Sequence, residues 1–190
     1  MLGLLGEFGE AVGIETNDAL LAVARAAGLD VRKGALPDDL PVTPGWADVV
    51  LLLDVLEHLD DDAGGLRAAH RVLREGGVLV VTVPAYAWLW SGHDVALAHR
   101  RRYVAAGLRA LVESAGYRVE RLSYFNTLLF PAIAAVRLYK RLRRDERHDL
   151  AHPGPRLNAF LEWLFALERH VVPRPGLPFG TSLLVVARRS

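Results

Sequence analysis

Short dense apolar runs alternate along this chain with stretches whose apolar positions recur at helical spacing. "AVGIE", residues 11 to 15, is a brief apolar run ending on an acid. "NDALLAVARAAG" (17 to 28) predicts a helix: Asn17 or Asp18 can cap it, alanines fill it and Gly28 stops it. "LDVRKG" (29 to 34) predicts a second short strand. "ADVVLLLD" (47 to 54) is apolar almost throughout, the composition of a strand buried on both faces. "DDDAGGLRAAHRVLREGG" (60 to 77) predicts a helix with acids at its electropositive start and Gly76-Gly77 at its end. "VLVVTVP" (78 to 84) is a β-branched strand closed by Pro84, and "VAAGLRALVESAG" (104 to 116) an amphipathic helix. "YRVERLSYFN" (117 to 126) and "TSLLVVARR" (181 to 189) supply the last strands. This alternation predicts an α/β fold with a mostly parallel sheet and helices on both faces. In such sheets ligands bind beyond the carboxyl ends of the strands, where Glu15, Asp54 and Pro84 fall. Asp54 therefore sits where a buried strand emerges into the ligand crevice.

Composition narrows the function classes. The 190 residues fit one domain, 52% of them hydrophobic and 24% charged, so the chain folds. A net charge of +1 gives no global argument for nucleic acid. The absence of cysteine excludes disulfides, thiolate metal sites and a cysteine nucleophile, and suits a cytoplasmic setting. The N-terminus lacks the basic flank and apolar run of a signal peptide, and no apolar run approaches the ~20 residues of a membrane span.

Four segments together resemble one family. "VGIE", "KGALPDDLP", "DVVLLLDVLEHLDD" and "AHRVLREGGVLVVTVP" are similar, in that order, to the class I S-adenosylmethionine-dependent methyltransferases of the small-molecule type. The resemblance covers roughly residues 1 to 126 and the final strand. It implies a Rossmann-like, doubly wound sheet with an antiparallel last strand, and S-adenosylmethionine as cofactor. Glu15 would then accept the ribose hydroxyls, Ala35 and Leu36 would lie against the adenine, and Leu53 and Asp54 would line the sulfonium end. His58 would stack on the adenine side or pack under its loop. Plainer roles stay open as well. Glu15 fits a solvated strand-end acid, Asp54 a cap on the following turn, Glu57 a structural acid paired with a helix or an arginine, and His70 a half-buried or surface position within its helix. Methyl transfer is an in-line displacement on an activated donor, so the protein's task is positioning, desolvation and, for a protonated nucleophile, a base. A nicotinamide-binding domain also places an acid after its second strand, but fits the "LDVLEHLDDD" loop poorly.

One hallmark of that family is missing. Its opening strand and GxGxG turn, which let the backbone approach the cofactor, have no counterpart here. "MLGLLGEFGEAVGIE" looks like the helix that should follow that turn, and Gly3, Gly6 and Gly9 follow no strand. The first, central strand is therefore expected to be absent. Either about 40 residues of such an opening unit are cut off, or this is a true short form. For the 190-residue chain, weak or absent cofactor binding is expected.

Beyond the fifth expected strand of that pattern, "PAYAWLWSGHDVALAHRRRY" (84 to 103) combines Tyr86, Trp88 and Trp90 with His93, Asp94, His99 and three arginines. It reads as an acceptor loop with an aromatic floor, or as a packed lid whose arginines face solvent or ion pairs. His93 and His99 are the candidate catalytic bases by side-chain type. No metal is expected, because His93, Asp94 and His99 lack a recognised ligand spacing. Residues 127 to 172 insert helical segments before the last strand, "TLLFPAIAAVRLYKRLRR" and "RLNAFLEWLFALERHVV". Their amphipathic, partly basic character suits peripheral contact with an acidic membrane or a lid over an apolar substrate, and equally a packed helical hairpin. The expected activity is methyl transfer to a small, lipid-like acceptor. The alternative is a non-catalytic α/β module for protein or membrane association.

Overall fold

The computed structural model describes residues 2–143, 154, 158–159, 163, 166, 168 and 176–190. Its strands are β1 (Gly13–Glu15), β2 (Val31–Lys33), β3 (Ala47–Leu53), β4 (Leu73–Pro84), β5 (Tyr117–Phe125) and β6 (Ser182–Arg189). The helices are α1 (Leu2–Leu5), α2 (Asp18–Ala26), α3 (Asp62–Val72), α4 (Gly92–Ala96), α5 (Ala105–Ser114) and α6 (Phe130–Arg143). Short 3₁₀ turns occupy Leu56–His58 and Ala87–Leu89.

The strands form two sheets. β1 pairs with β2 in parallel. The second sheet runs β3-β4-β6-β5, with β3 and β4 parallel and β6 antiparallel to both its neighbours. β1 and β3 are not hydrogen-bonded to each other, so each presents an unpaired edge. Among the described residues no strand pairs with both β1 and β3, so the two sheets stay separate. The architecture is α/β, with parallel strands and helices and an antiparallel last strand.

The core lies in the four-stranded sheet. Along β4, Leu79, Val81 and Val83 are fully buried while Val78, Val80 and Thr82 between them are half-buried. Leu183, Val185 and Ala187 of β6 repeat the alternation. The period of two puts these side chains on one face, where they meet Leu66 and Ala69 of α3 and Leu108 and Val112 of α5. Each such Leu or Val contributes on the order of 1.5–3 kcal/mol through burial. Gly65 lets α3 approach its own entry loop, since a Cβ there would stand 2.4 Å from a Leu59 methyl. Tyr117 ties β5 to α3 by donating to the Leu66 carbonyl (3.1 Å).

Four expectations need correction. β3 is not buried on both faces: it is an edge strand, with Val49 52% exposed and Val50, Leu51 and Leu53 only half-buried. The helix expected to run to Gly77 ends at Val72, because Leu73 already pairs with Ala47 and opens β4. Of the N-terminal stretch read as helix, only Leu2–Leu5 is helical. The loop after β4 holds a helix, α4, nucleated by a capping box between Ser91 and Asp94. In the insertion, α6 covers Phe130–Arg143, whereas the end of the basic run and most of the second amphipathic segment lie outside the described residues.

Candidate functional site

The parallel strands β3, β4 and β5 end on the same side of their sheet, and each is followed within two residues by a non-glycine residue in the left-handed region: Asp54 (φ 53°), Tyr86 (φ 58°) and Asn126 (φ 58°). That conformation costs energy for a residue with a Cβ, and such strain concentrates at ligand sites. Asp54 is pinned by its main-chain N–H, which donates to the Thr82 carbonyl (3.0 Å) and Oγ1 (3.1 Å). Its side chain stays exposed.

The 3₁₀ turn after Asp54 buries Leu56 completely and carries Glu57 in with it. A second segment clasps this turn. The Arg100 main-chain N–H donates to the Glu57 carbonyl (2.8 Å), and its Nε donates to the His58 carbonyl (2.8 Å). Arg101 Nη2 donates to the carbonyls of Leu59 (2.8 Å) and Asp60 (2.9 Å). These bonds bring His99 against Glu57 and His58: the two imidazole rings lie edge to face, 4.9 Å between centroids.

Asp94 organises the opposite wall. It is wholly buried and accepts from Arg102 Nε (2.7 Å), the Ser91 main-chain N–H (2.9 Å) and His99 Nδ1 (3.1 Å). Burial pushes its carboxyl upward, but the Arg102 guanidinium, with help from His99 and the Ser91 amide, holds it below the usual carboxylate range. The Nδ1–Asp94 bond turns the other ring nitrogen of His99 toward Glu57, whose Oε1 lies 4.0 Å away. Glu57 was expected to pair with a helix or an arginine. Instead it is fully buried, and neither of its carboxylate oxygens has a hydrogen-bond partner. Burial, reinforced by the nearby Asp54 and Asp94 charges, pushes its pKa up to about 7; its own backbone amide and Arg102 pull the other way.

These groups open onto a cavity of about 250 Å³ lined by Asp54, Glu57, His93, His99, Arg102 and Arg137 among others. Arg137 reaches in from α6, donates to the Leu89 carbonyl and stands 4.0 Å from Asp94. In the same region of the molecule, beyond β4, Tyr86 stacks on Tyr124 (5.1 Å) and touches Trp88 and Phe130, which in turn meets Phe179. Trp88 (47%), Trp90 (40%) and Phe179 (41%) remain exposed. The arrangement offers an apolar aromatic surface, an acid–histidine cluster and two guanidinium groups.

Of the residues singled out in the sequence, Asp54, His93 and His99 line this one cavity, and His58 stands beside His99. Leu53 is half-buried at the end of β3, in register with Thr82. Glu15, Ala35 and Leu36 belong with the small sheet. Glu15 accepts from the Asn17 main-chain N–H (2.8 Å), Ala35 bridges to Asp39, and Leu36 packs against the main core. Glu15 and Asp54 lie on separate sheets and share no hydrogen bond or ion pair. His70, beyond the site, is half-buried and donates from Nε2 to the Gly116 carbonyl (3.2 Å). Arg100 and Arg101 pair with Asp60 and Asp62, whereas Arg102 is buried against Asp94. The importance of Glu57 and Arg102 has only a weak sequence signal: an acid two residues past the exposed strand-end Asp54, and a third arginine in a run of three.

Comparison with known proteins points the same way. Residues 1–81 match the methyltransferase domain family. A probable S-adenosylmethionine-dependent methyltransferase of Mycolicibacterium smegmatis is 38% identical over 113 residues, covering 57% of this chain and 44% of that protein. A ubiquinone biosynthesis O-methyltransferase of Pseudomonas paraeruginosa is 38% identical over 71 residues, 34% of this chain and 31% of its own length. The chain thus spans less than half the length of these curated relatives. Among solved structures, an S-adenosylmethionine-dependent methyltransferase from Mesorhizobium loti superposes over 98% of this chain and 84% of its own, with a TM-score of 0.63 at 18% identity. That likeness shows a shared fold.

Proposed function

We propose that this chain, a relative of the class I S-adenosylmethionine-dependent methyltransferases, takes part in methyl transfer from S-adenosylmethionine to a small acceptor with an apolar, lipid-like part. The observation that carries the reading is the juxtaposition of the His93, His99 and Glu57 cavity with the aromatic cluster at the carboxyl ends of the strands. The donor is already activated, so the site need only hold the acceptor in line, exclude water and take its proton. His93 and His99 are the groups that face the cavity with a nitrogen suited to that proton. Tyr86, Trp88 and Phe130 would receive the apolar part of the acceptor. The O-methyltransferase relative, named for ubiquinone biosynthesis, supports an acceptor of that kind.

Glu15, Ala35 and Leu36 would hold the adenosine, with Leu53, Asp54 and His58 on the other side of the opening between β1 and β3. The unpaired edges of β1 and β3 leave that half of the pocket open, so the 190-residue chain should bind cofactor more weakly than the micromolar range. No helix among the described residues is long and apolar enough to cross a membrane. The basic insertion supports peripheral contact with an acidic lipid surface.

The test supplies saturating methyl-labelled S-adenosylmethionine with a panel of polyprenylated phenols and water-soluble phenols. Label transferred to the polyprenylated compounds, and lost in His93→Gln, is expected. Absence of both transfer and any cofactor binding by isothermal titration would support the non-catalytic module instead.

A further inference from the structure

Glu57 is a buried acid on the wall of the cavity, beside Asp54, His93 and His99. Its side chain has no exposure, and neither carboxylate oxygen meets a hydrogen-bond donor among the described residues. Such a carboxyl persists inside a protein where it is neutralised or where a visiting group brings the missing donor. The surrounding side chains leave that part to a visitor. Asp54 and His58 come from its own turn, and His58 packs edge to face on the His99 ring. The segment from 84 to 103 contributes His93, Asp94, His99, Arg102 and Tyr103, and α6 contributes Arg137. Arg102 donates to Asp94 (2.7 Å) and to the Ala85 carbonyl (2.9 Å), Arg137 to the Leu89 carbonyl, and the Tyr103 hydroxyl to Asp62 (2.9 Å).

The geometry between Glu57 and His99 sets what the visitor must be. Asp94 is an ionised carboxylate and can only accept, so the Nδ1 that meets it at 3.1 Å carries the proton. The other nitrogen, Nε2, faces Glu57 Oε1 at 4.0 Å. That gap is beyond hydrogen-bond reach, yet one oxygen placed ~2.8 Å from each would bridge it. A hydroxyl entering from the cavity fits this description. Burial, reinforced by the Asp54 and Asp94 charges, sets the Glu57 pKa at about 7, and a base in that range is well matched to taking a proton at neutral pH. Taking it also removes the buried charge. A proton held instead on His99 would leave Glu57 charged, with its nearest donor out of reach.

We propose that Glu57 is the general base of the methyl transfer, receiving the proton of an acceptor hydroxyl that lodges between its Oε1 and His99 Nε2. This rests on the methyltransferase reading and adds the residue on which the proton ends. The hydroxyl oxygen forms the bond to the donor methyl. The sulfur–methyl bond breaks with its electron pair going to the sulfonium, which leaves as a neutral thioether. The hydroxyl proton becomes that of the Glu57 carboxylic acid. His99, held at Nδ1 by Asp94, orients the hydroxyl.

The test has two arms, both on the 190-residue chain. In the first, without S-adenosylmethionine, carbon NMR follows the Glu57 side-chain carboxyl, assigned through its own backbone, as pH is varied. A midpoint at about 7 is expected. Saturating hexylphenol should move it to lower pH, because the hydroxyl bonds the charged form, whereas hexylanisole, with no proton to donate, should leave it in place. A midpoint in the ordinary glutamate range, or the same response to both compounds, overturns the proposal. In the second arm, with saturating methyl-labelled S-adenosylmethionine, transfer to a polyprenylated phenol should be ~10-fold slower at about pH 6 than at about pH 8. Glu57→Gln, which keeps the side-chain shape, should retain the melting temperature and lower transfer ~10²–10⁴-fold. Undiminished transfer in Glu57→Gln overturns the proposal and leaves the methyltransferase reading intact. No transfer by the parent chain with the cofactor bound overturns that reading instead, and the first arm then decides whether Glu57 receives a hydroxyl.

Discussion

The two-stranded and four-stranded sheets differ most in what covers their apolar residues. In the small unit only Val31 of the strands and Leu21 of α2 are buried, while Ile14 (36%), Leu20 (57%) and Val23 (68%) face solvent. In the large unit, β4 and β6 each bury three consecutive inward residues completely beneath α3 and α5. Both units have apolar sequences. Burial depends on neighbours, and among the described residues β1 and β2 are covered by α2, the four-residue α1 and each other. The small unit is therefore held mainly by local devices, such as the Asn17 side chain accepting from the Ala19 (2.9 Å) and Leu20 (3.2 Å) amides.

Substitution can sharpen this contrast. Leu79→Ala, at a fully buried position of β4, should destabilise the chain by about 2–5 kcal/mol in urea unfolding. Val31→Ala should cost only about 1 kcal/mol. A similar loss from the two substitutions would mean that the small sheet shares the main core. Next in size, Asn17→Ala should remove about 1 kcal/mol, seen as faster amide exchange in α2 with little change in β4 and β6. Equal acceleration in both sheets would break the comparison.

The smallest effect concerns the large unit. Burial, and then the Arg189 charge, holds His70 below its ordinary value of 6.5, against the pull of its bond to the Gly116 carbonyl. The folded state thus favours neutral His70. Its contribution is complete above the unfolded value and is lost as pH falls through 6.5 toward the depressed folded value. Urea midpoints at about pH 5 and about pH 8 should differ less in His70→Gln than in the parent chain.

Most strands and the helices α2, α3 and α5 were legible from period and punctuation. Asn17 and Gly28 bracket α2 as read, because caps act within a few residues. The boundary at Leu73 was not legible: "LREGG" reads as a helix end, and only pairing with Ala47 makes it strand. The burial of β3 was misread for a similar reason, since an apolar run reports what a strand can bury and not whether a partner lies beside it. The candidate site was legible as single residues at strand ends. What was not legible is the Glu57–His58–His99 cluster, which depends on the clasp between residues 57–60 and 99–101 across a long sequence separation. An acid in an acidic loop reads as solvated, so nothing local announces that Leu56 drags Glu57 inside.

The uncovered margin of β3 has a practical consequence for handling the protein. Seven residues, "ADVVLLL", offer a straight row of amide and carbonyl groups beside bare Val49. A register shift between Ala47 and Val49 and the exposed Asp48 guard only its first residues, leaving Val50 to Leu53 without the lysines or prolines that keep other sheets from sticking. Two copies meeting there would zip together through their main chains, so preparations should stay dispersed when dilute and turn adhesive as they are concentrated.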